Sequence, residues 1–132
     1  EANNMSTIKA NTLLHSDGTT TTQPSIPALD QRMAKVWCAF NGSGTVSIHD
    51  SYNISSISDQ GTGYYRANIA TALNNNNYSI VGGGDGQNTS SAHLMYDSNQ
   101  GARSTTSFGV RNTDITGSIV DSNYLSFIVF GS

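Results

Sequence analysis

The stretch from Gly82 to Thr106, GGGDGQNTSSAHLMYDSNQGARSTT, gathers side chains that could recognise a polar ligand. It holds carboxylates at Asp85 and Asp97 and amides at Gln87, Asn88, Asn99 and Gln100. It also holds an imidazole at His93, a phenol at Tyr96 and a guanidinium at Arg103. These groups donate and accept hydrogen bonds as sugar hydroxyls require. A ring such as Tyr96 or Tyr64 can cover the apolar face of a sugar. The expected ligand-binding set is Asp85, Gln87, Asn88, His93, Tyr96, Asn99 and Arg103. A solvated loop around one short strand has the same composition, so the scaffold decides what the set can do.

Enzyme signatures do not accompany it. The chain has no G-x-S-x-G, no H-E-x-x-H and no Walker loop. Its three histidines, His15, His49 and His93, sit in unrelated contexts. Its nine acidic residues offer no distinct pair of the kind that cleaves a glycosidic bond. The expectation is a protein that is not an enzyme and uses no metal or cofactor. GGGDG, residues 82 to 86, is read as a loop, because calcium-binding glycine-aspartate repeats need stacked copies. The six Lys and Arg are scattered and the net charge is -3, so nothing tracks nucleic-acid phosphates. No apolar run approaches the roughly 20 residues of a membrane helix, and no membrane insertion is expected. Cys38, the only cysteine, rules out an intrachain disulfide and lies in an apolar run as a small core residue.

The elements that must position these residues are strands. Hydrophobic residues make up 36% of the chain and charged ones only 11%, with Ser, Thr, Asn and Gly taking their place. Disorder usually pairs low hydrophobicity with high net charge, so a turn-rich all-β domain is the better reading. Residues 1–34 hold both prolines and a threonine run and read as an extended connector. Residues 35–132 read as the folded domain. Val36, Cys38 and Phe40 alternate with Trp37 and Ala39, and NGSG at 41 to 44 is a hairpin signal. Tyr65, Ala67 and Ile69 alternate with Tyr64, Arg66 and Asn68, as a half-buried strand requires. The asparagine run 74–77 reads as a turn in left-handed conformations. About seven or eight short strands predict an antiparallel β-sandwich. The last, YLSFIVF, is apolar on both faces. It is either a central strand covered on both sides or a strand with one face against a neighbouring subunit.

Several ordered motifs resemble one family: Lys35 to Trp37, FNGSGTV at 40 to 46, Ser51 to Ile57, DQGTGYY at 59 to 65, Asn75 to Gly82, and SFGVRN followed by YLSFIVFG. They resemble a carboxy-terminal domain of bacteriophage tail fibre and tail-associated proteins of marine and cyanobacterial phages. MSTIKANT at 5 to 12 resembles amino-terminal segments of such proteins. Strand order and closing strand are more distantly similar to H-type lectins, which are trimeric sandwiches that bind sugars near subunit interfaces. The resemblance implies a homotrimeric β-sandwich at the distal end of a tail fibre in the virion, recognising a host surface polysaccharide or lipopolysaccharide. The N-terminal segment would join it to other tail proteins. The alternative is a trimeric structural cap or connector without receptor contact. Tail-fibre domains of this kind share no binding residues that transfer to this chain.

Overall fold

The computed structural model describes residues 10–12, 14, 16–19, 32–85 and 93–131. The expected connector lies for the most part outside the described residues. Eight strands follow in chain order: β1 Val36–Asn41, β2 Ser47–Tyr52, β3 Ile54–Gly61, β4 Tyr64–Ile69, β5 Ser79–Gly84, β6 His93–Tyr96, β7 Ser107–Thr113 and β8 Leu125–Phe130. They form two four-stranded antiparallel sheets, ordered β2-β1-β8-β5 and β3-β4-β7-β6. The expected all-β sandwich is what the chain forms.

Alternation builds the core. Val36, Cys38 and Phe40 of β1 and Leu125, Phe127 and Val129 of β8 point inward from the first sheet. Tyr65, Ala67, Ile69, Leu94, Phe108 and Val110 meet them from the second. Rings pack edge to face through the middle, Phe40 against Tyr65 at 5.2 Å and Phe108 against Phe127 at 5.1 Å, a geometry that adds to area burial. β8 is central, with β1 on one side and β5 on the other. Its second face, Ile128 and Phe130, is 42% and 40% exposed. Covering that face is therefore not the work of the described chain.

Two local expectations are corrected. The glycines at 82 to 84 were expected in a loop, yet β5 runs through them. A Cβ on Gly82 would stand 2.7 Å from the Leu94 carbonyl oxygen, so the missing side chain lets β6 close against β5. The asparagine run was expected in left-handed turns. Among the described residues the one non-glycine with positive φ is Asn53, at 57°. It is the lone residue between β2 and β3, where the chain crosses from one sheet to the other. Its amide nitrogen donates to the carbonyls of Lys35 and Thr71, and its amide oxygen accepts from the Thr71 N–H at 2.7 Å.

Candidate functional site

β5 and β6 run side by side, so the residues at their ends separate. Tyr96, Asn99 and Arg103 lie at one end of the sandwich, beside the start of β5. Asp85 and His93 lie at the other, where β5 ends and β6 begins. Gln87 and Asn88 lie outside the described residues. The expected set is thus two groups with the length of a strand between them.

At the first end, Arg103 and Tyr96 come together for structural work. The guanidinium carbon stands 4.7 Å from the Tyr96 ring centroid. Its Nη1 donates to the Tyr78 carbonyl at 2.9 Å, and the Arg103 backbone N–H donates to the Tyr96 hydroxyl at 3.2 Å. Arg103 therefore takes a place over Tyr96 that a sugar would otherwise compete for. Asp97 is buried, caps the following 3-10 turn by accepting from the Asn99 N–H at 2.9 Å, and stands 3.9 Å from Arg111. That turn folds over Gly109, where a Cβ would meet the Asp97 carbonyl at 2.5 Å. Asn99 is left exposed.

At the second end, the loops are locked from beneath and present rings above. The Tyr65 hydroxyl has one proton and two acceptors, the Gly42 carbonyl at 2.8 Å and Asp121 Oδ1 at 2.9 Å. Asp121 Oδ1 also accepts from the Gly63 N–H at 2.6 Å. Burial first, and these Asp121 contacts second, hold the Tyr65 phenol in its neutral form well above the ordinary tyrosine range. Above this lock, the Asp85 N–H donates to the Tyr124 carbonyl at 2.8 Å, and the Ser122 hydroxyl donates to the Asp85 carbonyl at 2.7 Å. This continues the β5–β8 ladder, so Asp85 shares the outer face with Tyr124. Tyr124 is 47% exposed and stacks on His49 with centroids 5.3 Å apart and planes 14° off parallel.

His49 and Tyr124 were not in the expected set. His49 reaches Tyr124 from the register shift opposite Ala39 and Phe40, where one extra β2 residue enters the ladder. The row Asp85, Tyr124, His49 is a carboxylate beside two stacked rings, all exposed. It can accept hydrogen bonds from hydroxyls, and the ring faces that His49 and Tyr124 do not turn to each other can lie against C–H groups. Farther along the same outer face a shallow groove of about 380 Å³ runs over Gly83 and Ser126, walled by Val81, Ile128 and Phe130. Among the described residues no group of three or more His, Cys, Asp or Glu converges as a metal site.

Fold and surface define a small two-sheet antiparallel sandwich with an aromatic and acidic patch at one end. Compared with protein families, curated proteins and solved structures, the chain matches none.

Proposed function

We propose that the chain is the distal, receptor-binding domain of a bacteriophage tail fibre and recognises a glycan of the host surface as a homotrimer. The observation that carries the glycan reading is the exposed Tyr124–His49 ring pair with Asp85 beside it. Rings that bind sugar C–H faces and a carboxylate that accepts sugar hydroxyls are the minimal chemistry of such a site. Three copies on one fibre would turn weak single sites into firm attachment. The motif resemblance from Lys35 to the closing strand supports the tail-fibre assignment. A structural cap or connector is the second reading, favoured by the use of Tyr96 and Arg103 inside the scaffold.

An array of bacterial surface polysaccharides, probed with the purified chain, tests the reading. Binding to a defined subset, lost in Tyr124→Ala and in Asp85→Asn while thermal unfolding is unchanged, supports it. A folded chain that binds no polysaccharide on the array favours the cap.

A further inference from the structure

Charge is divided along the strands. The end that presents the Tyr124–His49 ring pair gathers carboxylates. Asp85 continues β5 beside Tyr124, its N–H donating to the Tyr124 carbonyl. Asp50 follows His49 and takes the outer face through its pairing with Ala39. Asp59 stands near the end of β3, Asp114 follows the last residue of β7, and Asp121 accepts from the Gly63 N–H and the Tyr65 hydroxyl. The Thr116 hydroxyl first, and then the N–H groups of Ser118 and Thr116, hold the Asp114 carboxyl below its ordinary range. Residues 86–92, GQNTSSA, lie in sequence between β5 and β6 and add no charge of either sign. The cations stand elsewhere. Arg32 and Lys35 come before β1, which starts at the opposite end. Arg103 donates to the Tyr78 carbonyl at that same opposite end. Arg66 donates to the Ser107 hydroxyl at the start of β7, and Arg111 stands 3.9 Å from Asp97. Among the described residues no Lys or Arg is placed beside the ring pair.

We propose that the Asp85–Tyr124–His49 site selects its glycan by charge, taking uncharged sugars and turning away those that carry carboxylate, phosphate or sulfate groups. The selection rests on the glycan reading above and names the class of sugar that this site takes. Asp85 accepts a hydrogen bond from a sugar hydroxyl, but an ionised carboxylate has no proton to offer an anion. An anionic group laid on the rings would meet Asp85 with no cation at hand to offset the repulsion. Contact between a ring face and sugar C–H groups does not need charge, so an uncharged sugar keeps all of it. Asp50, Asp59, Asp114 and Asp121 act at longer range. In about 10 mM salt the screening length is about 30 Å, longer than the ~10 Å between the two sheets, so all of them act on one ligand. In about 1 M salt it falls to about 3 Å, and their repulsion is lost. Like-charge repulsion of this kind excludes a wrong partner without adding a contact to the right one. Asp50 and Asp59 are therefore specificity-determining residues that touch no sugar.

The test reads the polysaccharide array in two groups, uncharged and acidic, with the full chain. It is made at about pH 8, above the range in which histidine ordinarily titrates. A matched pair of probes follows: the uncharged polysaccharide bound most tightly, and the same polymer with its primary hydroxyls oxidised to carboxylates. The expected result is that every polysaccharide bound in about 10 mM salt is uncharged. The oxidised probe should bind about tenfold more weakly than its parent there, and within about twofold of it in about 1 M salt. The variant joins Asp50→Asn to Asp59→Asn, which keeps the Oδ1 acceptors for the Ser51 and Gly61 N–H groups and so the fold, checked by circular dichroism. It should bind the uncharged probe as wild type does and narrow the low-salt gap to about threefold. Tightest binding to an acidic polysaccharide, or equal binding of the two probes in low salt, overturns the selection and leaves the glycan reading standing. A loss on oxidation that survives high salt, or that the double variant does not relieve, is steric and also overturns it. A folded chain that binds no polysaccharide overturns the glycan reading and the selection with it.

Discussion

Tyr65 and Tyr78 stand at opposite ends of one continuous run of aromatic rings. Tyr65 packs on Phe40, Phe40 on Phe127, Phe127 on Phe108 and Phe108 on Tyr78, with centroids 5.1 to 6.2 Å apart. Each terminal hydroxyl then leaves the core to hold a loop. Tyr65 reaches Gly42 and Asp121 at one end, and Tyr78 donates to the Ser104 carbonyl at 2.9 Å at the other. The loops at both ends of the sandwich are thus anchored to the same core.

Removing either hydroxyl should loosen its own end without disturbing the ring packing. Tyr65→Phe and Tyr78→Phe should each cost about 1–2 kcal/mol, because a buried acceptor loses its donor. Hydrogen exchange separates them. Tyr65→Phe should speed exchange at Gly42 and Gly63, and Tyr78→Phe around Ser104.

Stability should fall in alkali. Burial pushes the Cys38 thiol up to about 12 and the Tyr65 phenol above the tyrosine range. The fold holds both protons after the unfolded chain has released them. Their contribution is whole below the unfolded values, about 8.5 for Cys and about 10 for Tyr, and is lost as pH rises toward the folded ones. Urea unfolding measured from neutral pH upward should show the midpoint dropping from about pH 9. Cys38→Ala should delay that drop to about pH 10, where tyrosine titrates.

Gly82 and Gly83 are neighbours with opposite expectations. A methyl on Gly82 meets the Leu94 carbonyl, whereas one on Gly83 meets nothing within 4 Å in the single chain. Gly82→Ala should cost about 1–3 kcal/mol by forcing β6 away from β5. Gly83→Ala should stay within about 0.5 kcal/mol. Thermal unfolding of the pair decides it.

Asn53 carries both a left-handed backbone and a bridging amide. Asn53→Ala should cost about 2–4 kcal/mol, since it adds strain to the loss of three hydrogen bonds. Asn53→Gly should recover about half of that by relieving the backbone. A denaturant titration of the three proteins gives the order.

Arg103 should behave as scaffold. Arg103→Ala should cost about 1–3 kcal/mol by freeing Tyr96 and the Tyr78 carbonyl. A variant of full stability that binds no polysaccharide would instead return Arg103 to the ligand.

Much of the fold was legible because it rests on local period. Tyr65, Ala67 and Ile69 against Tyr64, Arg66 and Asn68 settle β4, and NGSG settles the first hairpin. The glycines at 82 to 84 were not legible, since their place in β5 depends on a carbonyl from β6. The left-handed residue was sought among four asparagines and found at a fifth, because the crossing between sheets demands it. The site was legible only in part. Antiparallel strands sent Asp85 and Arg103 to opposite ends, and the Tyr124–His49 contact needs a register shift that no alternation reveals.

The position of β8 has a consequence for biosynthesis. β1 is made well before its core-side partner β8, with Val36 pairing with Val129. Until a ribosome has released Leu125–Phe130, β1 and β5 have no strand between them, and Phe40 and Phe108 have no Phe127 to meet. The first sheet cannot close hairpin by hairpin as translation proceeds. Nonlocal pairing of this kind slows folding and lengthens the time that apolar strands stay bare. Emerging chains on one messenger would therefore stand near one another with those strands bare until β8 has emerged.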